Sequence, residues 1–401
     1  MASDRGGLPE GPLAPEWDDL IVLCAGVRYD GVKMADQHLA EALSVRRPVL
    51  YVDPPMSRLT ALRNPDAAAA LEGPRLRRVS SGLARLTPVI HPFPSRPGVA
   101  ALSTAVLRRL IGQAASRLSL HTDALVSTWV LHDPAGACRE DVAVWWAQDD
   151  LAAGGRLLGV SGRRLRAGER RAGRRADLVM AVSPVLARRW AEAGASTVLM
   201  PNGVDSAAWA EVGELPVPPD VDLPRPVAGF VGHINDRIDL TLLEAVADRG
   251  QSLLIVGPVS AGGAGSPGAW SRLIARPNVR WVGTKAFRDL PGYLGAIDVG
   301  LVPYRDSAFN QASFPLKTLE YLAAGLPVVS TPLPANRWLD TSLITEAAGA
   351  PAFAGAAGRW GEVPASPAAR AERRAFAAGH DWTRRADALL EELDRARARC
   401  A

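Results

Sequence analysis

The sequence predicts an α/β protein built from two Rossmann-like halves. Three observations carry that reading. Short apolar, β-branched runs alternate with helical stretches along the chain. Polar or glycine residues follow those runs directly, where open α/β sheets place ligands. At 401 residues, 48% of them hydrophobic, the chain is long enough for two domains of ordinary size, each with its own core.

Residues 1–16 are rich in Gly and Pro, carry Asp4, Arg5, Glu10 and Glu16, and lack the apolar core of a signal peptide, so a loose tail is expected. The first domain is read over 17–210. It opens with a strand at Leu20–Cys24, a loop Ala25–Lys33 containing Gly26 and Gly31, a helix to about Ser44 and a strand at Pro48–Val52. There is no G-x-G-x-x-G. Asp36 and His38 lie on the first helix, His38 read as a surface or capped side chain. Residues 53–100, including His91-Pro92-Phe93-Pro94, read as loops and short elements. Leu102–Leu118 is a predicted amphipathic helix, with Leu102, Val106, Leu110 and Ile111 on its apolar side. The runs Ala124–Trp129 and Val142–Ala147 end on His132-Asp133 and Gln148-Asp149-Asp150. Asp149 is placed to accept a hydrogen bond from a ligand hydroxyl or to cap the next helix. Ser161–Arg175 is dense in arginine, with Arg163, Arg166, Arg170 and Arg174 at helical spacing. Such a stripe is a solvated face, or a contact for an anionic surface or a phosphate-bearing acceptor. Ala176–Ser183 is a further strand, and Asn202-Gly203 a tight turn needing positive φ.

A Pro-rich linker over about 206–226 contains Asp220-Val-Asp222, a D-x-D whose setting argues against a metal role. The second domain is read over 211–370. Val227–Val231 is a strand followed at once by Gly232-His233, with Arg237 close behind. Leu253–Gly257, Val279–Gly283 and Val299–Pro303 are strands, Ser260–Gly268 a Gly/Ser-rich loop, and Leu290–Ala296 a helix. Thr284-Lys285 follows the third of these runs. Ser307–Phe314 reads as a loop. Beyond Pro334 the pattern weakens to short elements at Arg337–Leu339 and Leu343–Thr345. Two helices over 371–401, starting near Ala369 and at Thr383, are placed to pack back on the first domain.

The chain is organised around Ser313–Thr331: loop, helix, turn and buried strand. Pro315 suits a first helical position. Leu316, Leu319, Leu322 and Ala323 recur at helical spacing, Gly325 ends the helix, and Leu326–Ser330 is a buried parallel strand. Free N–H groups at such a helix start, with the positive end of the dipole, form a phosphate seat. Lys317 lies beside it. Glu320, one turn on, can accept hydrogen bonds from vicinal hydroxyls such as those of a ribose.

The pattern P-x-K-x-x-E-Y-x-A-x-G-x-P-V-V, from Pro315 to Val329, resembles the donor-site signature of GT-B glycosyltransferases, in particular the glycosyltransferase family 4 or teichuronic-acid-type group. The Ala176–Ser183 strand, the Pro201–Asp205 turn and V-W-W-A-Q-D-D-L are similar to further motifs of those enzymes. The resemblance implies two Rossmann-like domains facing each other across a cleft. The first would hold a glycan, lipid-linked or small-molecule acceptor, and the second a nucleoside-diphosphate sugar. It also implies a metal-independent, usually retaining transfer without a cofactor, of the kind used in polysaccharide biosynthesis. By that resemblance Glu320 binds the ribose. Ser313, Phe314, Pro315, Leu316 and Lys317 hold the diphosphate, Thr284 and Lys285 lie over the base, and Gly31, Gly232 and His233 approach the donor. Gly31 reads equally as a turn glycine. Lys317, Arg237 and Asp149 are the catalytic candidates. The family often has a second Glu eight positions before Glu320, where this chain has Ala312, and a His where it has Asp149.

The net charge of +4 suits an acidic ligand or an anionic membrane surface. Lysine occurs only at 33, 285 and 317 among 46 basic residues, which makes Lys317 more informative. Cys24, Cys138 and Cys400 form neither a disulfide framework nor a metal spacing. Nothing accompanies the arginines that would mark a nucleic-acid fold. The expected location is cytoplasmic, or peripheral at the inner face of a membrane. A nucleotide-sugar epimerase on the same fold and a non-catalytic nucleotide-sugar-binding protein are the rival readings.

Overall fold

A computed structural model describes residues 17–63, 68–69, 71–92, 98–260, 268–362 and 366–400. The expected tail at 1–16 lies outside them, as do residues 93–94 and most of the 260–268 loop. Contacts divide the chain into two compact units. The first comprises residues up to Val182, Leu186–Met200 and Arg385 onward; the second comprises Ser183–Val185 and Pro201–Arg384.

The first unit contains β1 (Ile21–Cys24), β2 (Val49–Val52), β3 (Met56–Ser57), β4 (Leu76–Ser80), β5 (Leu83–Leu86), β6 (Val89–Ile90), β7 (Ala124–Ser127), β8 (Val142–Ala147), β9 (Leu178–Ala181) and β10 (Thr197–Leu199). Eight of them form one sheet in the order β10-β9-β8-β7-β1-β2-β5-β4, parallel except for the β4–β5 pair. Strands β1, β2, β7, β8 and β9 are buried along their whole length, as parallel strands covered on both faces must be. The stretch read as loops and short elements thus contributes β4 and β5 to this sheet, and β3 and β6 to a separate parallel pair. Arg and Ser residues hid β4, a partly exposed edge strand, whereas β5 is buried throughout with Arg85 inside it.

The Val99–Leu118 helix forms, but it buries Leu107, Ile111, Ala114, Ala115 and Leu118 against β1 and β2, while Leu102 is 51% exposed. The buried stripe is therefore not the side counted from Leu102, Val106 and Leu110. His38 is buried, not a surface side chain.

The second unit contains β11 (Val227–Val231), β12 (Ser252–Val256), β13 (Val279–Trp281), β14 (Val299–Val302), β15 (Val328–Ser330) and β16 (Ile344–Glu346), all parallel, in the order β13-β12-β11-β14-β15-β16. Counted from β11 this is the doubly wound order 3-2-1-4-5-6, with its switch point between β11 and β14. The Ser307–Phe314 loop contains a short helix, Ala308–Ala312, capped by the Ser307 side chain. Ala350–Glu362 is also helical; its Gly and Ala content concealed it, since glycine weakens a helical pattern. Gly203 does not adopt positive φ. A Cβ there would lie 2.9 Å from the His380 carbonyl oxygen and 3.0 Å from the Trp382 ring, so close approach, not turn geometry, demands the glycine. No helix among the described residues is long and apolar enough to cross a membrane.

Candidate functional site

The crevice beyond the carboxyl ends of β11 and β14 is where this topology admits a ligand. Gly232 follows β11 and Tyr304 follows β14. The Gly232 N–H donates to Val256 O at 2.8 Å, and the Gly257 N–H to Gly283 O at 2.8 Å, which aligns the turns after β11, β12 and β13. Gly232 has φ +152°, and a Cβ there would sit 2.9 Å from Lys317 Cε. Both the backbone angle and the lysine exclude a side chain.

The Leu316–Ala323 helix opens at this edge. Pro315 is its N-cap, one position before the predicted N1, and no side chain caps the start. The first-turn N–H groups are thus left for another acceptor. Two side chains grip the segment leading in: Ser183 Oγ donates to Ala312 O at 2.5 Å, and Asn202 Nδ2 to Phe314 O at 2.8 Å. Phe314 packs edge-on against Trp338 at 5.9 Å. The Tyr321 hydroxyl accepts from the Val231 N–H at 2.8 Å, tying the helix to the end of β11. Gly325 has φ +79° and closes the helix as predicted.

Two cations converge here. Lys317 Nζ donates to the Tyr304 hydroxyl at 3.1 Å and lies 5.2 Å from the Tyr304 ring centre and 5.3 Å from that of Phe230. The Arg237 guanidinium lies 4.8 Å from the Tyr304 ring and 4.9 Å from the Phe309 ring. It donates to Asn310 Oδ1 and Ser313 Oγ, both at 3.0 Å. Among the described residues neither cation has a carboxylate within ion-pair distance. Two half-buried positive charges share one aromatic ring; Glu320 acts on Lys317 but does not reach ion-pair distance, an arrangement that a closer anion completes.

Glu320 is half-buried and its carboxylate accepts no hydrogen bond from a described residue; burial raises its pKa, against the opposing pull of Lys317. His233 is exposed. Its Nε2 pairs with Ser260 Oγ at 2.9 Å, and partial desolvation together with Lys317 lowers its pKa. Thr284 is exposed. Lys285 is taken up by Asp220 at 2.7 Å and by the Tyr293 ring at 5.0 Å, so its charge is already matched. Asp222 pairs with Arg280, so both carboxylates of the D-x-D are held by cations. Ala312 is 1% exposed and offers only its carbonyl.

In the first unit, Gly31 is exposed in a turn where its N–H donates to Arg28 O at 3.0 Å. Asp149, after β8, is half-buried. The capping bond in that stretch comes from its neighbour: Asp150 Oδ1 accepts from the Ala153 N–H at 3.0 Å and also pairs with Arg189. Buried Asp36 accepts from the Gly26 N–H at 2.8 Å and from Gln148 Nε2 at 3.2 Å, joining the loop after β1 to the end of β8.

Tyr304, Phe309 and Asn310 escaped the sequence reading. Asn310 is fully buried; its amide donates to the Arg237 and Arg305 carbonyls at 3.0 and 2.9 Å, so it fixes both the backbone and the guanidinium of Arg237. The signal was Ser307, a helix cap three residues before Asn310.

Residues 225–360 match the family described as "Glycosyl transferases group 1". That segment contains every residue of the cation cluster. A putative teichuronic acid biosynthesis glycosyltransferase of Bacillus subtilis (strain 168), TuaH, is 38% identical over 122 residues, a match that spans 30% of each chain. Over nearly the whole length the likeness is structural. Sucrose-phosphate synthase of Thermosynechococcus elongatus superposes with a TM-score of 0.72 at 16% identity, covering 95% of this chain and 99% of that one. HepE of Anabaena, solved with UDP, gives a TM-score of 0.63 at 18% identity, covering 94% and 100%. The structural neighbours are GT-B glycosyltransferases, and the chain shares their fold. The matched residues 225–360 lie within the second unit, which carries the switch-point crevice.

Proposed function

We propose that the protein transfers a sugar from a nucleoside-diphosphate sugar to a glycan, lipid-linked or small-molecule acceptor. The observation that carries this reading is the pair Lys317 and Arg237, set without counter-ions against Tyr304 beside an uncapped helix start. A diphosphate has the charge and the acceptor oxygens for such a seat. As the glycosyl bond breaks, negative charge develops on the leaving diphosphate. Lys317, Arg237 and the N–H groups of Leu316 and Lys317 stabilise it without rearranging, which is where such a site gains most of its rate. Glu320 accepts from the ribose hydroxyls. HepE was solved with UDP, which favours a uridine donor. Charge neutralisation by these cations suits a metal-independent reaction. In a retaining transfer the departing phosphate itself takes the proton of the acceptor hydroxyl, Glu320 being committed to the ribose.

The test is a thermal-shift screen of UDP-, GDP- and dTDP-sugars on the wild type and on Lys317→Met, followed by product analysis with and without acceptors. The wild type is expected to be stabilised by one nucleotide class and the variant not. Equal shifts in both proteins remove Lys317 from the site. Turnover of donor alone to an isomeric nucleotide sugar replaces transfer by epimerisation.

A further inference from the structure

The Gly162–Arg175 helix concentrates charge to a degree found nowhere else in the chain. Residues 156–175 hold eight arginines and one glutamate, a net of seven positive charges, while the whole chain nets +4; the remainder is therefore net negative by three. Glu169 does not dilute the patch, because it is 3% exposed and turned inward, where it accepts from the Leu151 N–H at 3.0 Å. Arg163, Arg166, Arg170, Arg171 and Arg174 are exposed and, among the described residues, meet no carboxylate within ion-pair distance. Solvated helix faces ordinarily intersperse both signs.

A second feature adjoins the arginines. Leu157 and Leu158 are 37% and 46% exposed, in the turn just before the helix. That turn is built, not slack. The Leu158 N–H donates to Gly154 O at 3.0 Å and the Val160 N–H to Gly155 O at 2.9 Å. Its base packs on the helix start so closely that a Cβ on Gly162 would lie 2.7 Å from Ala152 O. The fold therefore holds a pair of leucines in water at the head of a row in which Arg163, Arg166, Arg170, Arg171 and Arg174 meet no described carboxylate, while Arg175 at its far end pairs with Asp133. Burying the leucines among acyl chains and the arginines among phosphates would satisfy both.

We infer that residues 156–175 dock the first unit onto an anionic phospholipid bilayer. Charge complementarity selects the anionic headgroup, and the exposed leucine pair selects a bilayer over a free phosphate or a nucleic-acid backbone. The inference is independent of the proposed transfer reaction.

Co-sedimentation of the full chain with vesicles tests it. Vesicles of phosphatidylglycerol and phosphatidylcholine should bind the wild type and pure phosphatidylcholine should not, with binding weakening as salt rises. Arg166→Gln/Arg170→Gln/Arg174→Gln should weaken binding to the anionic vesicles by roughly tenfold or more. Leu157→Ser/Leu158→Ser should weaken it while leaving the salt dependence intact. Circular dichroism and the melting profile of each variant should match the wild type; a misfolded variant is replaced by Arg163→Gln/Arg171→Gln, which must weaken binding to the anionic vesicles as well. Failure to sediment with anionic vesicles, equal binding to neutral ones, or a triple variant that binds as well as wild type overturns the inference. So does displacement from anionic vesicles by duplex DNA at ~0.15 M salt.

Discussion

Arg85 in the first unit and the Arg237–Lys317 pair in the second are both largely withdrawn from water beside strand ends, yet their surroundings differ in one respect. Arg85 is 2% exposed and its guanidinium is fully matched: Nε donates to Asp53 at 2.7 Å, and the two terminal nitrogens to Asp30 at 3.0 and 2.9 Å. Asp53, itself wholly buried, also accepts from Thr87 Oγ1 at 2.8 Å and the Tyr29 N–H at 3.0 Å. Arg237 and Lys317 have aromatic rings, an amide and hydroxyls around them and, among the described residues, no carboxylate within ion-pair distance. A cation whose charge is answered within the fold is structure. A cation left without an ion-pair partner at a switch-point crevice is what the proposed donor site uses.

The largest effect that would break this comparison is expected on the matched side. Arg85→Met leaves Asp53 buried with its charge unanswered, and removing one partner of such a pair costs about 3–5 kcal/mol. The measurement is the thermal transition of the first unit, which should fall by many degrees. Nucleotide binding at low temperature should persist. If the melting profile is unmoved and nucleotide binding is lost, the assignment of the two clusters is reversed.

On the unmatched side the pattern inverts. Lys317→Met should lower turnover by roughly 10²–10³, the loss seen when one stabilising donor is withdrawn from a developing anion. The ligand-free melting temperature should hold or rise, because a half-buried charge has been removed. Steady-state kinetics beside a melt of the same preparation separate the outcomes; a parallel drop in both would mean that Lys317 is structural. Glu320→Ala should act more mildly. Loss of hydrogen bonds to a charged acceptor is worth about 1.5–3 kcal/mol, so donor affinity should fall by roughly ten- to a hundredfold. Deoxyribose forms of the donor should narrow the gap between variant and wild type, and a gap that stays wide would move Glu320 off the ribose.

Much of this contrast was legible in the chain. The run Pro315–Val329 has a local pattern that sets helix start, helix end and strand, so Lys317 and Glu320 could be placed from spacing alone. Gly232 and Arg237 were readable because they directly follow an apolar run. Tyr304, Phe309 and Asn310 were not, because they matter through contacts with Arg237 that no local periodicity encodes. Lys285 illustrates the converse. Its position after β13 suggested a donor contact, but its partner Asp220 lies 65 positions earlier. Asp53, Arg85 and Asp30 likewise meet only because β1, β2 and β5 are neighbours in the sheet. The β4–β5 hairpin that supplies Arg85 was itself hidden in a stretch read as loops.

The smallest expected effect lies between the two extremes, at a buried carboxylate answered mainly by backbone. Glu169 accepts from the Leu151 N–H at 3.0 Å, and its pKa is raised to about 7, first by burial and then by Asp150, with Arg189 pulling the other way. In the unfolded chain the same carboxyl titrates near its ordinary value of 4.5. Between those two values the folded state keeps a proton that the unfolded state releases, so this group's contribution to stability declines as pH rises through the window and is level above it. The effect is on the order of 1 kcal/mol. Glu169→Gln keeps the acceptor for Leu151 but removes the titration. The difference in melting temperature between pH 5 and pH 8 should therefore shrink in the variant, chiefly because the variant gains stability at pH 8. A variant that is destabilised equally at both pH values would show instead that the charged form is needed by Arg189, and would move Glu169 to the matched side of the comparison.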